Sequence, residues 1–559
     1  LILDPVHILQ ASLGHRPCLA GLWLAAGLLL SACTHDFVAR SANPLRAASA
    51  LEAVGGRPPA RLESELQAAI RAQRAGQELA AAAGYLGVLE DPASGKISRF
   101  ATARLVELCA PALLAHPGGV VRIDGPSRRY LVRLRRGPGP GGIAPDRFVS
   151  LEPADRFAVS GVPTFSGNPG LGAPLVGGLP PALPVHVGAD PALPVVGLSW
   201  PVTAEAVFGP PGRVRSVALE LFEPQSFPIS GPAPAADYTT PLAVSETRQR
   251  ALRRGWAGFL RGSEYYPSIG LYPTEPPTPG KTPVILVHGL LSDPAEFRYL
   301  RNALAGNAEV RRRYQIWLFY YPTSLPVPYP AKLLRQDMDR FIHQLDPAGI
   351  HPALHRIVLV GHSMGGVICR LAVSDGGDAF YRQYYRKPLP ELSLTADERE
   401  LVRQTFYYRA SPDVRTVVFI ATPHKGSQLA LSPLGGLAQL VVRPPTKVVA
   451  ELRDMGRRNP GALTDPRLRA DGSILALSPR NPLVKALAAM PMHTGRVRLH
   501  SILGDRGRGG PRERTSDGIV PYASAHLPEA QSEVMVPASH TGTLKRPETA
   551  AELIRILHE

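Results

Sequence analysis

The chain has 559 residues, 44% of them hydrophobic, and a formal net charge of +16. That is long and apolar enough to bury a large core, in about two to four domains. The positive charge comes mostly from scattered arginines. No basic run alternates with aromatics as single-stranded nucleic acid binding would require, so nucleic acid is excluded as a partner.

The first element is an address. Residues 18–32, CLAGLWLAAGLLLSA, are apolar after Arg16. Spanning a bilayer takes about twenty apolar residues, so this shorter run predicts a secretory signal over 1–32. Its end, Leu30-Ser31-Ala32-Cys33, resembles the bacterial lipobox. The resemblance implies cleavage before Cys33 and acyl chains on it. Lipoproteins kept at the inner membrane tend to carry aspartate next, whereas this chain has Thr34. The expected location is therefore the bacterial cell envelope, at the outer rather than the inner membrane. A polar linker over 33–45 follows.

Residues 46–116 have apolar residues at helical spacing among strong helix formers, as in ARLESELQAAIRAQRAGQELAAAAGYL. Residues 117–280 predict a β-rich, Gly/Pro-rich accessory region, with RRYLVRLRR and RSVALELFE as strands. It contains a decoy. Gly137-Pro138-Gly139-Pro140-Gly141-Gly142 satisfies G-x-G-x-x-G, but its prolines remove N–H groups and block the helix that a dinucleotide site needs.

From 281 the pattern changes. PVILVHG, YQIWLFYYPT, RIVLVGHS, RTVVFIATP and VRLHSILGD are continuous apolar runs, mostly separated by helix-length stretches. Such runs predict a mostly parallel sheet buried on both faces. Tyrosine-rich residues 375–413 and residues 428–496 interrupt the pattern as lid-like inserts. The four cysteines, Cys18, Cys33, Cys109 and Cys369, have neither zinc-ligand nor redox spacing, and no metal or cofactor motif occurs. Cys109 and Cys369 read as small core residues.

The chemistry centres on Gly361-His362-Ser363-Met364-Gly365-Gly366. A serine on a sharp strand–turn–helix elbow is thrust above the sheet, and residues two before and two after must be small. Upstream, Val287-His288-Gly289-Leu290 follows an apolar run. With these parts in order, residues 281–559 resemble the α/β-hydrolase superfamily, in its bacterial lipase and esterase branch. The resemblance implies an α/β-hydrolase fold, no cofactor, and an oxyanion hole from the Leu290 and Met364 N–H groups. His288 is expected to hold its loop, and His362 to point away from the chemistry.

The family order is serine, acid, histidine. His540 follows the short strand SEVMV and precedes the final helix, which makes it the base ahead of His526. Asp517, in Ser516-Asp517-Gly518-Ile519-Val520-Pro521, resembles the family's acid-bearing turn, and Asp505, directly after VRLHSILG, is the rival. Thr422-Pro423-His424 is expected to line the site mouth. These residues predict a membrane-anchored serine hydrolase of carboxylic or lipid esters, with Ser363, His540 and Asp517 as its triad. An acyltransferase using the same triad and a non-catalytic envelope scaffold are the alternatives.

Overall fold

The computed structural model describes residues 38–40, 59–95, 97–162, 164–180, 198–227, 234–248, 269–427, 454–464, 477–479, 481–506 and 511–559. The expected signal segment and Cys33 lie outside them.

The N-terminal half begins with β1 (Val38–Arg40) and three helices, α1 (Ala60–Arg74), α2 (Glu78–Glu90) and α3 (Ile97–Ala115). Its strands are β2 (Val121–Asp124), β3 (Arg129–Arg136), β4 (Ser150–Pro153), β5 (Phe157–Val159), β6 (Gly167–Asn168), β7 (Ala173–Gly178), β8 (Ser199–Phe208), β9 (Val214–Phe222) and β10 (Ala236–Asp237). A six-stranded sheet has the order β2-β3-β9-β8-β7-β4, while β1 pairs with β5 and β6 with β10. Alternation sends Tyr130, Val132, Val217, Leu219 and Leu221 inward against Leu86, Leu105 and Val106 of α2 and α3. The decoy glycines form a turn after β3, closed by Gly137 and Ile143 N–H groups on the Leu221 carbonyl, with no α-helix at the glycines.

Helix α4 (Thr239–Arg248) docks this half onto the next. Its Glu246 pairs with Arg301 at 2.6 Å, both 3% exposed, and Thr239 Oγ1 donates to Asn302 Oδ1 at 2.7 Å. Asn302 Nδ2 in turn donates to the Thr164 carbonyl at 2.8 Å.

The C-terminal half is built on β11 (Gly270–Pro273), β12 (Thr282–Val287), β13 (Tyr314–Tyr320), β14 (Ile357–His362), β15 (Val414–Ile420), β16 (Arg498–Asp505) and β17 (Ser532–Pro537). Its helices are α5 (Arg298–Gly306), α6 (Ala308–Arg313), α7 (Pro328–Leu345), α8 (Met364–Ala372), α9 (Asp378–Tyr384), α10 (Ala396–Phe406), α11 (Pro482–Ala489), α12 (Tyr522–Ala525) and α13 (Pro547–His558). The sheet order is β11-β13-β12-β14-β15-β16-β17. It is mixed: β11 runs antiparallel to β13, and every later pairing is parallel. Because β11 belongs to it, this unit starts at Gly270 rather than at 281. GLYP is too short and too interrupted by proline to announce itself as a strand.

The uninterrupted apolar runs have a simple cause. Ile285, Val287, Trp317, Phe319, Leu359, Val417 and Phe419 face α7 and α8, whereas Val284, Leu286, Leu318, Val358, Val360, Val418 and Ile420 face α5 and α13. Successive residues point to opposite faces, and both faces are covered.

The insert 375–413 is not a lid. Chain direction decides this. Ser363 lies past the C-terminal end of β14, and α8 then returns to the opposite edge of the parallel strands. There Ser411 N–H meets the Ala372 carbonyl and Ile357 N–H the Asp413 carbonyl. The insert thus leaves and rejoins at the edge remote from Ser363. Its aromatic residues pack on the core: buried Phe380 lies on Phe406 at 5.0 Å, and buried Tyr381 stacks on the partly buried Tyr385 at 4.8 Å. Residues 454–464 of the second insert clamp it, through Arg386 N–H to the Ala462 carbonyl and Thr464 N–H to that of Tyr384. The apolar stretch 431–442 lies outside the described residues.

Candidate active site

Ser363 stands between β14 and α8 with φ 52° and ψ −121°, a region non-glycine residues rarely enter. The surrounding glycines permit it. A Cβ on Gly365 would collide with the Val287 and His288 carbonyls, one on Gly361 with the Gly366 backbone, and one on Gly366 with the Thr422 side chain. Helix and strand therefore close to backbone contact, and the serine Oγ is left at the sheet's edge.

His540 meets it from the loop after β17. His540 Nε2 is 2.9 Å from Ser363 Oγ, and Nδ1 is 2.7 Å from Asp517 Oδ2. Asp517 Oδ1 accepts the Ile519 and Val520 N–H groups, each at 2.7 Å, so the turn orients its carboxylate. Burial works against the charge of Asp517, but the His540 hydrogen bond and charge, with those two N–H groups, hold it below the usual carboxylate range. The His540 backbone N–H donates to the Asp517 carbonyl, and Thr543 Oγ1 donates to the His540 carbonyl at 2.6 Å. The imidazole thus rests on a backbone fixed at both ends. Asp505 ends β16 opposite Pro537 and is not the carboxylate on the ring. His526 engages Glu533 at 2.6 Å and Tyr522 at 3.1 Å.

The turn after β12 completes the arrangement. His288 is fully buried and stacked on Tyr321 at 4.3 Å. Tyr321 N–H lies 3.4 Å from its Nε2, and its Nδ1 is 3.0 Å from the Gly289 carbonyl. Burial pulls its pKa down to about 4, so it is neutral and serves one tautomer: Nδ1–H donates and Nε2 accepts. This is a structural histidine. A Cβ added to Gly289 would lie 3.1 Å from both the His362 ring and Ser363 Cβ, so the turn abuts the elbow. Leu290 is next, and Leu291 takes φ 59° with its N–H toward Thr323 Oγ1 at 3.3 Å. Met364 is the first residue of α8, where an N–H has no intrahelical acceptor.

His424 departs from the expected place at the mouth. Its ring is 3% exposed, edge-on to Phe419 at 4.7 Å and 3.2 Å from Arg370 Nη1. Burial, then Arg370, drives its pKa well below the ordinary histidine value. It is a packed wall group. Cys369 and Cys109 are buried in the cores, and burial pushes the Cys109 thiol up to about 12. Glu296 escaped the sequence reading. It accepts the Gly289 N–H at 2.9 Å and faces His362 Nδ1 at 3.1 Å. Its only signal was Asp293-Pro294-Ala295-Glu296, which reads as a capping pattern. Among the described residues no group of His, Cys, Asp and Glu could hold a metal ion, and no helix is long and apolar enough to cross a membrane.

No family model matches the chain, and no curated protein sequence does. Solved structures it is similar to include lipases and esterases. The mature Bacillus licheniformis lipase BlEst2 is 16% identical, covering 51% of this chain and 97% of that one, with a TM-score of 0.31. The metagenomic carboxyl esterase MGS0156 is 18% identical over 51% of this chain and 78% of its own, with a TM-score of 0.29. Staphylococcus hyicus lipase is 15% identical over 51% and 96%, with a TM-score of 0.29.

Proposed function

We propose that this protein is a serine hydrolase of carboxylic esters, working on an α/β-hydrolase scaffold through an acyl-enzyme. The observation that carries the reading is the continuous chain Ser363 Oγ, His540 Nε2, His540 Nδ1, Asp517 Oδ2, with contacts of 2.9 and 2.7 Å. Ser363 Oγ attacks the ester carbonyl while His540 Nε2 takes its proton. Asp517 fixes the Nδ1–H tautomer and stabilises the imidazolium. The Leu290 and Met364 N–H groups receive the oxyanion, each worth roughly 3 kcal/mol in the transition state. His540 then delivers the proton to the leaving alkoxide, and water, deprotonated by the same imidazole, releases the acid. The base must be neutral to begin, so protonating His540 stops the reaction.

The test is a chain-length series of p-nitrophenyl esters, with and without EDTA, on wild type and Ser363→Ala, alongside fluorophosphonate labelling. Hydrolysis unaffected by EDTA, lost in Ser363→Ala, with the label on Ser363, is expected. A folded wild type that neither hydrolyses any ester nor takes the label overturns the reading.

The motif Leu30-Ser31-Ala32-Cys33 further supports a lipid-anchored envelope protein with the mature chain starting at Cys33. At ~0.8 kcal/mol per buried methylene, more than one acyl chain is needed to hold it. Cys33→Ala should release the protein from membranes or leave it unprocessed. An unmodified mature N-terminus elsewhere, found by mass spectrometry, would remove this part of the proposal.

A further inference from the structure

Glu296 and His362 take no part in moving the serine proton, yet they join the loops that do. Glu296 lies in the turn after β12, His362 ends β14, and His540 follows β17. Glu296 Oε1 accepts the Gly289 N–H at 2.9 Å and is 3.1 Å from His362 Nδ1. On the other side of that ring, Nε2 is 3.3 Å from the His540 carbonyl oxygen. The two imidazoles are 4.9 Å apart between centroids. His362 is 2% exposed.

Both nitrogens of His362 thus face oxygens, one of a carboxylate and one of a carbonyl. A neutral imidazole has a single N–H and can serve one of them, whereas an imidazolium serves both. The ionisable groups around the ring are Glu296 from the β12 turn, the neutral His288 beside it, and His540 with Asp517 from the later loops. Burial opposes a cation here, but the charge and hydrogen bond of Glu296 and the His540 carbonyl outweigh it and raise the His362 pKa. Burial likewise opposes the Glu296 anion, and His362 outweighs that, so the carboxylate stays below its ordinary range. The proton belongs on the imidazole.

We propose that Glu296 and His362 form a buried carboxylate–imidazolium pair that positions the oxyanion turn and the base's loop against Ser363. Its cation, beside His540, extends activity toward acid by disfavouring a second positive charge there. The proposal deepens the ester-hydrolase reading and rests on it. Both members are positioning residues.

Two variants separate charge from geometry. Glu296→Gln keeps at that position an oxygen that can accept from both the Gly289 N–H and His362 Nδ1–H, but it carries no charge to offset burial of a cation, so the ring is left neutral with a single N–H. Glu296→Ala removes both contacts. For Glu296→Gln, the acid limb of kcat/KM should move to higher pH by roughly half a unit to one unit, with KM little changed. Glu296→Ala should lose about a hundredfold in kcat at every pH, as a displaced oxyanion donor does. Nitrogen-15 NMR of the full chain, with His362→Gln to assign the ring, gives a readout independent of turnover. Wild type should carry protons on both His362 nitrogens at pH 6, and Glu296→Gln on one. A singly protonated His362 in wild type at pH 6, or a Glu296→Gln profile superimposable on wild type, overturns the pair. If wild type hydrolyses no ester, the function reading falls alone, because the NMR result still decides the pair. If Glu296→Gln does not fold, the wild-type spectrum decides it.

Discussion

The two halves of the described chain lay helices on sheets by the same rules, but they use polar groups in opposite ways. In residues 60–248 several charges close on one another, Glu246 apart. Arg104 pairs with Glu107 and Asp155, Arg156 with Glu107, and Glu90 with Arg128 and Arg215. Among the described residues there, positive φ falls on glycines alone. In residues 270–559 the non-glycine residues with positive φ are Leu291, Ser363 and Ala421, each just past the end of β12, β14 or β15. Those strands are neighbours in the sheet. Each such conformation costs about 1–3 kcal/mol and persists only where packing over-determines it. Strain therefore collects at one edge of one sheet, beside the imidazoles of His288, His362 and His540, whereas the polar groups of the other half are spent on the fold. Chemistry is expected where the polar groups are not closed among themselves.

The sharpest way to break this contrast is at the edge itself. Ser363→Ala and His540→Ala should each lower kcat on a p-nitrophenyl ester by a factor near ~10⁶, and the double variant should be little worse, because the groups act as a unit. Full activity in Ser363→Ala would end the contrast. Asp517→Asn should cost about 10⁴ through loss of tautomer control. Asp505→Asn, measured beside it, should cost far less, and the reverse ranking would move the acid.

A stability measurement probes the junction between halves. Arg301→Met leaves the buried Glu246 without its closest cation and should destabilise by about 3–5 kcal/mol in denaturant melts. Arg301→Met with Glu246→Leu should recover most of that, and kcat/KM should stay unchanged in both. A loss of kcat/KM in the folded single variant would show that the N-terminal half bears on the site.

The smallest effect lies at the remote edge of the sheet, where His355 sits 2.7 Å from Asp413 and 3.2 Å from Asp346. The Asp413 hydrogen bond, despite partial burial, raises the His355 pKa. A raised pKa stabilises the fold when the group is protonated. That contribution is full below the unfolded value of about 6.5 and is lost as pH climbs through the folded one. The Tm deficit of His355→Gln should therefore be larger at pH 5.5 than at pH 8.5, and a pH-independent deficit would remove the ionic account.

Much of this was legible in the sequence because local chemistry dictates it. Buried parallel strands must be apolar throughout, and an elbow must be ringed by small residues, so β12 to β16 and Ser363 could be read from residues 284–505. The side-chain meeting of Ser363 and His540 followed from the order of parts. What failed was what depends on direction or on distant partners. Residues 375–413 look like a lid until the return of α8 shows which edge they occupy. His424 looks exposed beside a turn until Arg370 and Phe419 close on it. Glu296 looks like a helix cap, since nothing local tells that His362 will arrive opposite it.

The base and the nucleophile are 177 positions apart. At ribosomal speeds of about 5–20 residues per second, the serine leaves the ribosome roughly ten to thirty-five seconds before its histidine. Until the end of that interval β17 has yet to join the sheet, and Ser363 has no partner to take its proton. The growing chain is a hydrolase in outline with its reactivity withheld. Any acylating substrate met during synthesis encounters an ordinary hydroxyl, and competence arrives in one step when β17 docks and carries His540 to the elbow.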